Sequence, residues 1–259
     1  MIIKIGVSGA AGRMGQAILS AAAKDKNIKT TLAVEKAGMP GVGKEDNDIK
    51  ITDSLKAGVS AIDVYIDFST PSATAENVKI LSDAGKAIVI GTTGLNEKEM
   101  AAVKEAAKKV PIVMATNFSV GINAMWKILK DLTKIIKEDY DIDIVESHHR
   151  HKKDAPSGTA VTTAKVILEA KGLDYEKNVL YGRDGRENER PRDQLGILAV
   201  RGGGVVGEHT VIYASDGDKL EIKHTAFSRE PLAAGAIKAA KFVVGKKPGL
   251  YGMGDVLGI

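Results

Sequence analysis

The residues best suited to chemistry are concentrated in the stretch Glu146–Ala160. Within it, His148–Lys153 contains three histidines, one arginine and two lysines. The stretch then breaks at Asp154-Ala-Pro, and Ser157–Ala160 predicts the start of a helix. A helix N-terminus leaves backbone N–H groups unpaired and carries the positive end of the helix dipole. A cationic run that leads into such an end is typical of a site for an anion.

Three functions compete for His148–Lys153. A metal site is the least favoured, because there is no His-Glu-x-x-His pattern and the neighbouring cations repel a divalent ion, so we expect no metal. A solvated basic turn explains the charge run, and without context it is the simpler interpretation. It does not explain why the run leads into a helix start. The third function is catalysis with anion binding, in which histidine and lysine exchange protons and the N–H groups of Gly158 and Thr159 hold a carboxylate.

The N-terminal residues follow the pattern of a dinucleotide-binding turn. The β-branched run Ile2–Ser8 predicts a buried strand, and Gln16–Lys24 has high helical propensity. Between them lies the glycine-rich turn 9–15. Thr30–Val34 predicts a second strand, which ends before Glu35, about 20 residues after the last glycine. Strand, turn, helix, strand and acidic residue together favour a dinucleotide over a glycine-rich loop without a ligand.

The glycine spacing is not the commonest form of this fingerprint, but the physical roles still fit. Gly9 suits the tight turn, Gly12 the close approach of backbone to a pyrophosphate, and Gly15 the packing of helix on strand.

Charged residues in the turn and after the second strand bear on which dinucleotide is bound. Glu35 suits ribose hydroxyls, whereas Arg13 and Lys36 carry the charge to meet a 2′-phosphate. A solvated loop lysine is an equally good interpretation of Lys36.

Three further predicted strands end in small or polar residues: Ser69-Thr70, Gly91–Thr93 and Ala115–Phe118. Each alone is ordinary turn chemistry. Their recurrence at the carboxyl ends of a parallel sheet predicts the rim of a cofactor cleft.

The remaining pattern predicts alternating strands and helices, followed by a group of strands. Predicted strands are Ile62–Phe68, Ala87–Ile90, Pro111–Met114 and Tyr140–Val145, and predicted helices are Ala73–Ala84, Glu97–Lys109, Gly121–Glu138, Thr159–Ala170 and Glu230–Val244. The polar stretches Gly38–Asp48 and Tyr175–Arg192 predict exposed loops.

Near the C-terminus, Ile197–Arg201, Gly207–Ser215 and Lys219–Thr225 predict an antiparallel set of strands. Such a set after a run of βα units indicates a second domain of different topology. The last helix is expected to pack on the first domain.

The amino-acid composition restricts the possible fold classes, site types and ligands. With 259 residues, 44% hydrophobic and 27% charged, the chain is expected to be globular, with one large or two modest domains. It has no cysteine, which excludes disulfides, thiolate zinc sites and cysteine nucleophiles. The net charge of +4 suits small anionic ligands and does not argue for nucleic acid. With neither a signal-peptide pattern nor an apolar run of about 20 residues, we expect a cytoplasmic protein without membrane contact.

Longer motifs resemble one family, the dihydrodipicolinate reductases. The resemblance rests on the turn Val7–Gly15 and on Glu146-x-His-His-Arg-His-Lys-x-Asp-Ala-Pro-Ser-Gly-Thr-Ala160. It extends to Gly91-Thr-Thr-Gly94, Asn117-Phe-Ser-Val-Gly121 and Arg201-x-Gly-x-x-x-Gly-Glu-His209, and it runs essentially from end to end of the chain.

The resemblance implies an α/β fold: a Rossmann-type dinucleotide-binding domain plus an α+β substrate and oligomerisation domain with a mixed open sheet. We place the first domain at residues 1–119 and 229–259 and the second at 120–228. The implied enzyme is an oxidoreductase that uses NADPH or NADH. It reduces 4-hydroxy-tetrahydrodipicolinate to tetrahydrodipicolinate, with loss of water, in the diaminopimelate route to lysine. Members are usually homotetramers, built through the sheet of the second domain.

The resemblance also implies roles for individual residues. His148 matches the proton donor and acceptor, and Lys152 matches the proton donor. Implied substrate-binding residues are His149, Ser157, Gly158 and Thr159. Implied cofactor-binding residues are Gly9, Ala10, Ala11, Gly12, Arg13, Met14, Glu35, Lys36, Gly91, Thr92, Thr93, Ala115, Thr116, Asn117 and Phe118.

Two positions depart from the family pattern. Residue 36 is lysine where a well-known form has arginine, so a preference for NADPH does not follow. Residue 116 is threonine where many members have proline or alanine. Two other functions stay open: another two-domain NAD(P)-dependent dehydrogenase of an amino-acid pathway, and a dinucleotide sensor without catalysis. An intact His148 and Lys152 pair argues against the sensor.

Overall fold

A computed structural model describes residues 2–46, 49–136, 138–185 and 189–259. Short β-branched runs form most of its strands. The strands, in chain order, are β1 (Ile3–Ser8), β2 (Ile28–Val34), β3 (Glu45–Asp46), β4 (Ile49–Thr52), β5 (Val64–Asp67), β6 (Ala87–Ile90), β7 (Pro111–Met114), β8 (Asp141–His148), β9 (Val179–Leu180), β10 (Leu195–Arg201), β11 (Gly207–Ala214), β12 (Lys219–Ala226) and β13 (Gly249–Tyr251).

Most of the helices begin at capping residues or after glycine turns. In chain order they are α1 (Arg13–Ala23), α2 (Leu55–Gly58), α3 (Pro71–Asp83), α4 (Glu97–Ala107), α5 (Val120–Ile136), α6 (Gly158–Lys171), α7 (Tyr175–Asn178), α8 (Glu230–Val243) and α9 (Met253–Leu257), with a 3₁₀ turn at Val59–Ala61. No helix in the described ranges is long and apolar enough to cross a membrane.

The chain separates into two compact units. The first contains Met1–Val120 and Arg229–Ile259, and the second contains Gly121–Ser228. In the first unit the strand order is β13-β7-β6-β5-β1-β2-β4-β3, with parallel pairing except between β3 and β4. Its core includes fully buried residues of β1, β5 and β6, such as Ile5, Val64 and Val89. The predicted α/β fold with a Rossmann-type parallel sheet is confirmed.

The chain reverses direction across this sheet at β1. From β1 it moves outward to β2 and β4, and it then returns to place β5 on the other side of β1. The carboxyl ends of β1 and β5 therefore bound the crevice in which open parallel sheets bind their ligands.

The second unit is a five-stranded mixed sheet with the order β12-β11-β8-β10-β9. Alternation along β8 points Ile142 and Ile144 into an apolar core with Leu129 of α5 and Ala164 of α6. The opposite side chains of β8 are only partly buried or exposed, so the helices cover one face of the sheet.

One expectation about this sheet is wrong. The strand at Ile197–Arg201 does not belong to an antiparallel set, because β10 pairs in parallel with β8 and with β9. β8 lies between β10 and β11, so the glycines at 202–204 connect strands that are not neighbours. Neighbouring strands along the chain favoured an antiparallel set, but the central position of β8 decided the pairing.

Two predicted loops contain regular elements, and one predicted strand is longer than the sequence pattern indicated. The predicted loop Gly38–Asp48 contains β3, while residues 47 and 48 lie outside the described ranges. The predicted loop Tyr175–Arg192 contains α7 and β9, and residues 186–188 lie outside those ranges. The strand predicted at Tyr140–Val145 continues to His148, and residue 137 of the predicted helix Gly121–Glu138 is not described.

Candidate active site

A large cavity lies over the carboxyl ends of β1, β2 and β5 in the first unit. Its volume is about 1170 Å³, and it is lined by the glycine turn, by residues just after β2 and by Phe68–Thr70 after β5. This is the crevice that the reversal of the strand order creates. Its size and position suit an extended ligand such as a dinucleotide.

Two glycines allow the turn between β1 and α1 to pack closely. Gly9 has φ +66°, and a Cβ atom there would lie 2.7 Å from the Phe68 carbonyl oxygen. A Cβ atom on Gly15 would lie 2.1 Å from the Gly9 carbonyl oxygen, so α1 can approach the turn only with glycine at this position. The first turn of α1 therefore lies against the glycine turn, the arrangement in which helix N-termini bind a pyrophosphate.

Glu35 lies at the far side of the turn and is anchored by backbone donors. Its carboxylate accepts from the Ala11 N–H (3.0 Å) and from the Lys36 N–H (2.9 Å). A carboxylate has about four acceptor positions, so these bonds leave capacity for ribose hydroxyls. Lys36, Lys44 and Lys56 line the same cavity and bring positive charge to it.

A buried carboxylate that the sequence did not single out connects two of the predicted rim segments. Asp67 is fully buried at the end of β5 and accepts from the Ser69 N–H (3.1 Å), the Ser69 hydroxyl and the Asn77 amide (3.0 Å). Burial raises the pKa of Asp67, while these donors act in the opposite direction. The Ser69 N–H is also 3.1 Å from the hydroxyl of Thr92, so the ends of β5 and β6 are held together.

The structure brings only some of the predicted cofactor residues to the cavity wall. Gly9, Ala11, Gly12, Glu35 and Lys36 line it. Ala10 does not: it is fully buried, its N–H donates to the Val34 carbonyl, and its own carbonyl accepts from Gln16.

The other predicted rim residues lie after β6 and β7, or in the first turn of α1. Phe118 is buried with its ring 5.4 Å from that of Phe68, and Asn117 accepts from the Ser119 N–H. Residues placed near the sheet edge but outside the cavity wall are Arg13, Met14, Gly91, Thr92, Thr93, Ala115, Thr116, Asn117 and Phe118.

In the second unit, His148 is the last residue of β8, and its ring is held by a buried carboxylate. His148 Nδ1 lies 2.6 Å from Glu146 Oε2, and Glu146 is fully buried. Arg201, at the end of β10, donates to both oxygens of Glu146 at 2.8 and 2.7 Å. The Ser157 N–H donates to the same carboxylate at 3.0 Å. One carboxylate thus joins β8, β10 and the start of α6.

The charged residues in this group shift one another's pKa values. Burial raises the pKa of Glu146, but hydrogen bonds from Arg201, His148 and Ser157 outweigh it and hold the pKa below its usual range. Burial lowers the pKa of His148, and the opposing effect of Glu146 does not fully restore it. The positive charges of Lys152 and Arg201 act in the same direction as burial. The ring of His148 is therefore poised to be neutral near pH 7 without a bound anion.

A second histidine packs on the first. The His209 ring of β11 meets the His148 ring edge to face, with centroids 5.2 Å apart. Its Nε2 lies 3.0 Å from the hydroxyl of Ser157, which also caps α6 by accepting from the Ala160 N–H. Burial, followed by the charge of His148, lowers the pKa of His209 to about 3.

Lys152 and the start of α6 already hold a carboxylate of the protein itself. Lys152 Nζ lies 2.9 Å from Asp154 Oδ2. Burial raises the pKa of Asp154, but Lys152 and the backbone, including Gly158, hold it below the usual range. The side chain of Asp154 is largely exposed, and Gly158 and Thr159 form the first turn of α6 beside it. His149 lies in the same loop with its ring 6.2 Å from that of His151.

The residues that the sequence did not single out are mainly those that hold the predicted site residues in place. Glu146, Arg201 and His209 all stand in the motifs that carry the family resemblance, but no role followed from them. Asp67 carries one signal in the sequence, a carboxylate at the end of an apolar run.

A nucleotide-sized cavity at the reversal point of a parallel sheet, and a separate histidine–lysine group at a helix N-terminus, define a dinucleotide-dependent oxidoreductase. Comparison with known proteins gives the family. The model for dihydrodipicolinate reductase, N-terminus, matches residues 3–118, and the model for its C-terminus matches residues 121–257. The chain belongs to the dihydrodipicolinate reductase family.

Individual relatives match the sequence of this chain over its whole length. The 4-hydroxy-tetrahydrodipicolinate reductase of Citrifermentans bemidjiense is 44% identical over 266 residues, covering 100% of both chains. That of Geobacter metallireducens is 46% identical with the same coverage. A dipicolinate-bound dihydrodipicolinate reductase from Paenisporosarcina sp. TG-14 has the same fold, with a TM-score of 0.76 over 98% of this chain and 99% of that one, at 21% identity. The predicted family and reductase function are confirmed, and NAD(P)H is the cofactor class.

Proposed function

We propose that the chain reduces 4-hydroxy-tetrahydrodipicolinate to tetrahydrodipicolinate in the diaminopimelate route to lysine. In the net reaction a hydride is delivered to ring carbon C4, and one proton leaves with the hydroxyl group as water. Bound NAD(P)H supplies the hydride, and the glycine turn and Glu35 are placed to hold it. A cytoplasmic location remains a prediction.

The second unit supplies charge and protons. The substrate carries two carboxylates, which the first turn of α6 and Lys152 attract. Gly158 and Thr159 hold one carboxylate through their N–H groups, with Ser157 fixing the helix start and His149 beside it. His148 and Lys152 hold and release the protons, because imidazole titrates near neutral pH and the ammonium can donate.

One observation carries the assignment of the anion site. Lys152 and the backbone at Gly158 already act together on the carboxylate of Asp154. Asp154 occupies the place of a substrate carboxylate. Its side chain is exposed, so the same donors can release it and bind a carboxylate of the substrate instead. The solvated-turn interpretation does not explain why these donors converge.

The cofactor cavity supports the use of both NADH and NADPH. Glu35 favours the ribose hydroxyls of NADH, whereas a 2′-phosphate would be close to its charge. Lys36, Lys44 and Lys56 offset that repulsion as point charges, without the planar fork of arginine. We therefore expect a modest preference at most.

The open face of the second sheet supports a homotetramer. Val145, Leu198, Val200 and Ile212 share the face that α5 and α6 do not cover, and Leu198 and Val200 are exposed. An apolar band of this kind is suited to self-association. Sedimentation equilibrium tests it: Leu198→Lys should lower the mass to that of a smaller assembly, and a wild-type chain that sediments as a monomer would rule out the tetramer.

The activity test couples the protein to dihydrodipicolinate synthase with pyruvate and aspartate semialdehyde, and follows the loss of NADH or NADPH absorbance. His148→Gln and Lys152→Met should each lower kcat by roughly 10²–10⁴-fold, the usual contribution of a general acid. The dissociation constant for NADH, measured by fluorescence, should stay unchanged. Lys153→Met is the matched control, because Lys153 is an exposed neighbour of the same charge. Wild-type turnover in both variants would refute the catalytic assignment.

A further inference from the structure

A fully buried carboxylate requires a reason, because removing an ionised group from water is costly unless several donors replace the lost hydration. Glu146 has four such contacts: the His148 ring at 2.6 Å, both terminal nitrogens of Arg201, and the Ser157 N–H. Arg201 also donates to the Asp154 carbonyl at 2.7 Å. The carboxylate is therefore the point at which β8, β10, the basic loop and the start of α6 meet.

We propose that Glu146, held by Arg201, is the positioning residue that fixes the tautomer and orientation of His148 so that its Nε2 faces the substrate. The inference rests on the proposed role of His148. Arg201 keeps Glu146 ionised, and an ionised carboxylate only accepts hydrogen bonds, so the contacting Nδ1 must carry a proton. A flipped ring would place a carbon against the carboxylate and lose this bond.

Gly207 keeps the other ring nitrogen uncovered. A Cβ atom on Gly207 would lie 3.0 Å from His148 Nε2, within the range in which one of the two must shift. Glycine at the start of β11 therefore leaves space at Nε2, while Glu146 occupies Nδ1. The two residues act on opposite nitrogens of one ring, so each can be changed without directly touching the other contact.

The charges around His148 set the direction of the expected pH effect. Glu146 of β8 favours the protonated ring, whereas Lys152 of the loop and Arg201 of β10 disfavour it. His209 of β11 faces the ring, His224 of β12 pairs with His209, and Asp154 offsets Lys152. Removing the charge of Glu146 should therefore lower the pKa of His148 further.

The decisive variant is Glu146→Gln, which keeps the shape of the side chain and removes its charge. We expect kcat to fall about 10- to 100-fold, within the contribution of a general acid, while the KM for NADH stays unchanged. The alkaline limb of the kcat profile should move about one pH unit lower, the size of shift that a close opposite charge produces. In ¹⁵N spectra of histidine-labelled protein, the His148 signal should show less of the tautomer protonated at Nδ1.

Two further variants show whether a lower kcat comes from a misplaced His148 ring or from a misfolded protein. Glu169→Gln makes the same chemical change at an exposed ion pair on α6 and should leave kcat and the pH profile unchanged. Gly207→Ala should lower kcat while leaving the Nδ1 tautomer of His148 in place. Its effect does not depend on whether Glu146→Gln folds, and the fluorescence of Trp126, the single tryptophan, reports folding of each variant.

The outcomes distinguish this proposal from the catalytic assignment beneath it. If His148→Gln is inactive but Glu146→Gln keeps wild-type kcat, pH profile and tautomer, Glu146 is not a positioning residue. If His148→Gln itself turns over normally, the assignment of His148 fails first. Normal turnover of Gly207→Ala would show that glycine at this position is not needed to keep Nε2 open.

Discussion

His209 should make the second unit less stable as the pH falls toward 5.5. The ring is 4% exposed, and burial holds its pKa at about 3 in the folded protein, against an ordinary value of 6.5. Below pH 6.5 the unfolded chain binds a proton at this position that the folded chain does not, so stability is lost as pH falls. Between pH 7.5 and 5.5 the folded ring stays neutral, and linkage predicts a loss of roughly 1.4 kcal/mol from His209 alone.

Trp126 provides the assay. It lies on α5, packs against the core of the second unit and donates to the Thr163 hydroxyl at 2.8 Å, so its fluorescence follows the unit that contains His209. Urea titrations at pH 7.5 and 5.5 give the free energy of unfolding at each pH.

The comparison is between the wild type and His209→Gln, which has no group that titrates in this range. His148 and His224 also have lowered pKa values and destabilise both proteins in the same direction, so the difference between the two slopes isolates His209. The wild type should lose about 1.4 kcal/mol more than the variant. Equal losses would refute the claim that His209 is buried in its neutral form.

Two other substitutions test the first unit. Gly15→Ala should stabilise a helix by about 1 kcal/mol on propensity alone, but the close contact with the Gly9 carbonyl should reverse the sign and weaken NADH binding. A variant with higher stability, measured by circular dichroism, and unchanged NADH affinity would contradict the close packing of α1. Asp67→Asn should cost about 1–3 kcal/mol, because an amide donor then faces donors such as the Ser69 N–H, and the KM for NADH should rise. Asp63→Asn, at an exposed carboxylate that accepts from one backbone N–H, is the control, and an equal cost in both would contradict this account.

The sequence by itself determined the elements whose signals are local. A glycine turn between an apolar strand and an alanine-rich helix specified the first βα unit, and this unit together with the acidic residue after the next strand predicted a dinucleotide as the ligand class. The basic run before Ser157 predicted an anion site at a helix start, and that helix start is observed, because helix capping and cationic side chains are local signals in the sequence. The short strands β6 and β7 were also predicted at their observed bounds, since a β-branched run between turn signals is a local pattern.

Only the tertiary structure decided which distant residues meet. The parallel pairing of β10 with β8 aligns Arg201 with His148 and brings its guanidinium to Glu146, 55 residues away along the chain. Had β10 paired antiparallel with β11, as the sequence pattern predicted, this carboxylate would have lost its arginine. Strand order depends on packing across the whole sheet, which no local pattern encodes. The sequence could therefore single out His148 as the proposed catalytic histidine, while the sheet decided which residues hold its ring.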